Sequence, residues 1–250
     1  MAKKIKSEEK QPLISHLKEL RDRLVVCIIA VGITFIAAYC FKEKIFYFLM
    51  EPFIKVMPDK SSFIFTYVTE AFITYFKISL VTAIFAASPV ILYEIWMFIS
   101  PGLYEKEKKY VFPFIFYGSI CFICGALFCY FVVMPFIYSF FVGYAAEFII
   151  PMPDLKGYMN LTLKLLITFG LIFEMPLMAF YLGRAGIVNY KTLSSKRRYA
   201  ILGIFILSAI ITPPEITSQI IMAIPLWGLF ELSILIIRLS GKKVRDSGQV

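Results

Sequence analysis

Apolar runs close to the length of a bilayer crossing recur along the whole chain, and no other feature restricts its possible folds so strongly. A membrane helix needs about 20 consecutive apolar residues, because lipid offers no water to satisfy exposed backbone groups. The runs predict six spans: Leu24–Phe41, Tyr67–Ile99, Tyr110–Tyr138, Leu161–Leu182, Tyr199–Ile211 and Ile216–Ile237. The fifth is short, about 13 residues or roughly 20 Å of helix, against a hydrocarbon core of about 30 Å. It turns into the sixth through Thr212-Pro-Pro-Glu-Ile-Thr217, so this hairpin must be shielded by other helices or thin the bilayer locally. Hydrophobic residues make up 60% of the chain and charged ones 17%, which sets it apart from soluble domains, where about a quarter of residues are charged. The expectation is an all-α integral membrane protein forming one polytopic domain over residues 1–250. It divides into an N-terminal segment over 1–23, a six-helix core over about 24–237 and a tail over 238–250. The polar first 23 residues lack the apolar centre of a cleavable signal peptide and are expected to persist.

Basic residues set the orientation, since Lys and Arg gather on the cytoplasmic side. With the N-terminus inside, the inner segments hold 19 of them and the two outer loops five. Both termini are therefore expected in the cytoplasm. The net charge of +9 reflects this bias and an attraction to anionic membrane lipid, not nucleic-acid binding.

Ahead of the first run, Leu13, Leu17, Leu20 and Leu24 recur at helical spacing beside Glu19, Arg21, Asp22 and Arg23. This reads as an amphipathic helix lying at the membrane surface, its charged face turned to the cytoplasm. Prolines at 89, 113, 135, 176 and 225 fall inside the spans. Each removes a backbone donor and kinks its helix, which predicts a concave wall of curved helices. Cys121 and Cys124 form a CxxC, but no His, Asp or Glu lies near them in sequence, so they read as packing thiols. His16 is the single histidine, which leaves no basis for a metal site, and no cofactor is expected.

Ionisable residues inside spans are costly and call for a reason. Glu174 lies near the middle of the fourth span with no basic neighbour one turn away. It must face a wet cavity or protein interior, be held neutral, or bond to another helix. A contact with Lys77 is one option. Lys77 and Lys164 lie close enough to the outer face to snorkel. Glu70 suits a helix start, where the dipole favours an acid. Glu94 shares a face with Phe98, one turn on, and Glu231 sits well inside the sixth span. In the loop Ser100–Lys109, Glu105 and Glu107 lie on the same side of the membrane as Glu19. Such carboxylates suit a partner bearing arginines, through charge-assisted bidentate bonds.

Eight segments in order resemble the TatC family, the multispanning subunit of the twin-arginine protein translocase. They are His16–Leu24, Met50-Glu-Pro52, Ser88–Trp96, Phe98–Tyr104, Phe173-Glu-Met-Pro176, Leu193–Tyr199, Thr212–Gln219 and Ala223–Glu231. The resemblance implies a glove-like arrangement in the bacterial inner membrane. It implies a receptor for the twin-arginine signal peptides of proteins exported already folded, driven by the proton-motive force. Partners would be single-span TatA/TatB-type subunits, other copies of the chain and membrane lipid. By motif, Glu19 and Glu107 match the acids that contact the arginine pair, Glu105 being the neighbour most easily confused with Glu107. Arg21 and Phe98 match the same cytoplasmic patch, Pro52 a functional outer-loop position, Glu174 the intramembrane acid and Glu215 the acid of the last outer turn. The family is not enzymatic, and the chain has no phosphate-binding GxxxxGK[ST] loop, catalytic triad or metal cluster. Six kinked spans with an intramembrane acid would also suit a secondary transporter, but the duplicated halves usual in such proteins are absent from the sequence.

Overall fold

The computed structural model describes residues 13–58, 63–64, 67, 69–99, 111–143, 152–184, 186, 188–212 and 215–246. Helix α1 (Leu13–Cys40) is followed by the short α2 (Lys42–Ile54) and then by α3 (Glu70–Ile99). Next, α4 (Val111–Phe128) continues through a π turn (Cys129–Val133) into α5 (Met134–Val142). Finally come α6 (Leu155–Arg184), the short α7 (Tyr190–Ser195), α8 (Arg197–Ile211) and α9 (Ile216–Asp246). Among the described residues, five helical runs are long and apolar enough to cross a membrane: His16–Cys40, Glu70–Phe98, Phe112–Val142, Leu155–Arg184 and Ile216–Leu239. The sixth crossing is α8, whose 15 residues make about 22 Å of helix. It is the short span expected from the sequence.

Main-helix packing runs in the order α1, α3, α4, α6, α9, α8, with α1 resting chiefly on α3 and α8 chiefly on α9. The result is an open row in which α6 is central and apolar faces of α1 and α8 stay exposed. Ile28, Ile33 and Ile36 on α1 and Ile210 on α8 are each more than 60% exposed, a pattern suited to lipid. Two glycines set the closeness of α4 to α6. A Cβ on Gly125 would stand 2.4 Å from the Phe169 carbonyl oxygen, and one on Gly170 would stand 2.8 Å from the Phe122 ring.

Where α2 meets the bundle, polar aromatic side chains repair a broken backbone. Pro52 lies inside α2 and has no N–H for the carbonyl four residues back, that of Phe48. The Tyr130 hydroxyl donates to that oxygen at 2.7 Å. The Tyr158 hydroxyl donates to the next carbonyl, Leu49, also at 2.7 Å. Phe53, next to the buried Pro52, packs edge to face on Tyr138 and on Tyr158. Beside it, Lys55 at 2.8 Å holds the Glu51 carboxyl below the ordinary carboxylate range. Pro135 explains the π turn similarly: it leaves the Phe131 carbonyl without its helical donor, and the Met134 N–H reaches back to Cys129 instead.

The structure revises several expectations. Residues 13–24 are not a separate surface helix. They are the first turns of α1, which runs unbroken because no proline interrupts it, and its 28 residues extend about 42 Å, past a hydrocarbon core of about 30 Å. Lys77 does not meet Glu174; its ammonium donates to Asn160 Oδ1 at 2.8 Å. The reason is depth. Helices α3 and α6 start on the same side, tied by the Ile64–Asp154 bridge, with Lys77 about 10 Å along its helix and Glu174 about 29 Å along its own. Glu231, within the Ile216–Leu239 run, finds its partner in Arg197, the first residue of α8, at 2.6 and 2.8 Å.

Candidate functional site

Two acids and one guanidinium join the start of α1 to the end of α3. Glu19 and Arg23 are four residues apart and so share one helical face. Arg23 Nη2 and Nε donate to Glu19 Oε1 at 2.6 and 3.1 Å. Its third donor, Nη1, bonds Glu94 Oε2 at 2.9 Å across the helix interface. The side chains remain 29%, 20% and 12% exposed for Glu19, Arg23 and Glu94. Solvent therefore reaches the cluster while screening it less than a surface pair. A groove of about 440 Å³ opens here, lined by Lys18, Glu19, Asp22, Arg23, Val26 and Glu94. At the same end, His16 stacks on Phe98 with ring centroids 4.4 Å apart and planes 18° from parallel.

Arg21 sits two residues from Arg23, on the other side of the helix. It pairs with Asp22 at 2.6 Å in open solvent. Glu105 and Glu107 lie outside the described residues. The geometry thus gathers Glu19 and Phe98 at one end and sets Arg21 on the neighbouring face. It joins to them Arg23 and Glu94, which the sequence set beside Glu19 and on the face of Phe98 but did not bring together. Their i,i+4 and i,i+71 pairing was only half visible: the first spacing is a helical signal, whereas the second requires the fold.

Glu174 has the opposite surroundings. It is buried on α6, and both carboxylate oxygens lack a hydrogen-bond partner among the described residues. Gly118 on α4 faces it, so close that a Cβ there would stand 3.4 Å from Oε2. A buried charge left so is strongly penalised unless a partner or water arrives. Pro52 is the buried proline of the α2 turn described above. Glu215 is exposed immediately before α9, where an acid suits the positive end of the helix dipole; its backbone carbonyl accepts from Gln219 N–H at 3.2 Å and from the Ser218 hydroxyl at 3.0 Å.

Known proteins match this chain along nearly its full length. The profile of the family described as Sec-independent protein translocase protein (TatC) matches residues 15–225. A Sec-independent protein translocase protein TatC from Desulforapulum autotrophicum is 47% identical over 98% of this chain and 90% of its own length. The protein of the same name from Escherichia coli K12 is 37% identical over 96% of this chain and 93% of its own. A crystal structure of the twin-arginine translocase receptor TatC superposes with a TM-score of 0.81 at 38% identity, covering 90% of this chain and 99% of that one.

Proposed function

The chain belongs to the TatC family of Sec-independent protein translocase proteins, and from that premise we propose that its Glu19 end receives the arginine pair of a signal peptide. As a multi-pass membrane member of this family it is a component of the twin-arginine translocase, for which the solved relative is described as a receptor. The observation that carries the site assignment is Glu19 itself: a half-buried carboxylate, fixed in position by Arg23 at 2.6 Å and opening onto a charged groove. Arginine suits such a site because its planar fork binds carboxylate bidentately and stays charged at any cellular pH. Lysine is a point donor and fills it less well.

The remaining assignments follow the same reading. Glu107, with Glu105 near it in sequence, supplies a further acid. Phe98, stacked on His16, offers an aromatic surface where the peptide enters the bundle, and Arg21 lies on the adjoining face. Both termini face the cytoplasm of a bacterial inner membrane, the whole chain forming one polytopic domain. Glu174 accepts a hydrogen bond from a polar side chain on a single-span TatA/TatB-type helix, an interaction worth roughly 0.6–2 kcal/mol. Lys77, far from Glu174 in depth, offers a separate polar contact nearer the outer level. Pro52 and Glu215 keep the outer turns in the shape that assembly with further copies requires. Export of folded cargo draws on the proton-motive force.

The test is photo-crosslinking in membranes from Lys18 and Asp22, the groove residues beside Glu19, to a twin-arginine peptide and to its twin-lysine counterpart. Crosslinks to the first that disappear with the second are the expected result. Equal crosslinking of both peptides would remove Glu19 from the recognition site.

A further inference from the structure

Arg23 leaves its two acids half used. Both of its bonds to Glu19 converge on Oε1, and its bond to Glu94 ends on Oε2. No described residue donates to Glu19 Oε2 or to Glu94 Oε1. An ionised carboxylate offers about four acceptor positions, so each acid retains an unoccupied oxygen at a groove that solvent reaches. Within the bonded cluster two carboxylates share one guanidinium; Lys18 also lines the groove but donates to neither acid among the described residues. The adjacent Arg21 and Asp22 neutralise each other at 2.6 Å and contribute no cation to the cluster. If Arg23 needed only a counterion, Glu19 would suffice. A second acid only 12% exposed adds a desolvation penalty that one further cation would offset.

We infer that Glu94 is a second arginine-reading acid of the receptor site, so that one peptide guanidinium bridges Glu19 Oε2 and Glu94 Oε1 while Arg23 braces both carboxylates from behind. This deepens the reading of Glu19 given above and rests on it. The reach is demonstrated by the chain itself: the single guanidinium of Arg23 already spans Glu19 and Glu94, at 2.6 and 2.9 Å. An arginine from outside has the same fork. A lysine ammonium is compact and cannot present the same flat, spaced set of donors to two carboxylates. Discrimination of arginine from lysine therefore arises from the bridge rather than from charge alone. Arg23 acts through these acids and is a positioning residue.

The experiment is a double-mutant cycle on the full-length protein in lipid nanodiscs. Wild type and Glu94→Gln are titrated with a twin-arginine signal peptide and with its twin-lysine form. Glutamine retains an acceptor oxygen for Arg23 but loses the charge. Twin-arginine affinity should fall about fivefold, the difference between a charge-assisted and a neutral hydrogen bond, while twin-lysine affinity stays nearly constant. Glu94→Asp, which retains the charge, should keep more of the preference, and it serves as the test variant if the glutamine form is unstable. Equal weakening of both peptides would mark Glu94 as structural and overturn the inference. So would an unchanged preference in the variant, with the Glu19 reading still standing. A wild type that does not prefer arginine would overturn the Glu19 reading itself, and the bridge with it.

Discussion

Glu94 and Glu174 are both acids carried on long apolar helices, yet the fold treats them in opposite ways. Glu94 meets Arg23 at 2.9 Å near an open groove, sharing that guanidinium with Glu19. Glu174 is buried beside Gly118 with neither oxygen bonded among the described residues. The first acid is anchored and keeps capacity for a cation from outside. The second lies against Gly118 and finds no partner among the described residues. A chain that supplies a counterion fixes an acid in place as a reader of charge. One that supplies none leaves the acid for a polar group on another molecule, because an isolated buried charge is costly. The two ends of this contrast correspond to two proposed tasks, peptide recognition and partner docking.

The contrast breaks most severely by charge reversal. Glu19→Lys and Glu107→Lys should each abolish export of twin-arginine substrates, since repulsion is added to a lost pair. Normal export rates in either variant, measured with a folded reporter, would contradict the corresponding assignment. Arg23→Gln should leave Glu19 and Glu94 facing each other without a cation. A loss of about 2 kcal/mol is expected, below the roughly 3–5 kcal/mol of a fully buried pair because these side chains stay partly hydrated. A thermal midpoint matching wild type would show that the cluster adds little to the α1–α3 contact.

At Glu174 the sign reverses. Glu174→Leu removes a buried polar group that has no partner among the described residues, so stability should rise by about 1–2 kcal/mol. Crosslinking to single-span subunits should fall in the same variant. A destabilised protein would mean that Glu174 already has a structural partner, and intact crosslinking would remove its docking role. The smallest effect concerns neither acid but calibrates both. Tyr130→Phe should cost about 1 kcal/mol by uncapping the Phe48 carbonyl. Adding Pro52→Ala should restore a backbone donor, making the double variant less impaired than the sum of the two changes. Strict additivity would refute the repair.

Much of this was legible before the fold was known. Runs of apolar residues mark each crossing because the bilayer sets their length, and α8 announced itself by falling short. Helix continuity was less legible: the charges around Glu19 suggested a separate surface helix, although residues 13–40 contain no proline to end one. The pairing of Arg23 with Glu94 depends on how α1 lies along α3, which no local pattern encodes. Lys77 and Glu174 looked compatible by charge, but the shared starting side of α3 and α6 separates them by about 19 Å in depth. Tyr130 gave no signal of its own. Its role emerges only when Pro52 leaves a carbonyl within its reach.

The most direct measurement is the affinity of purified protein in nanodiscs for twin-arginine and twin-lysine peptides, compared among wild type, Glu19→Gln and Glu174→Gln. The account predicts a preference for arginine that collapses in Glu19→Gln and survives in Glu174→Gln. A preference that survives in Glu19→Gln, or is lost in Glu174→Gln, would contradict the division of tasks between the two acids.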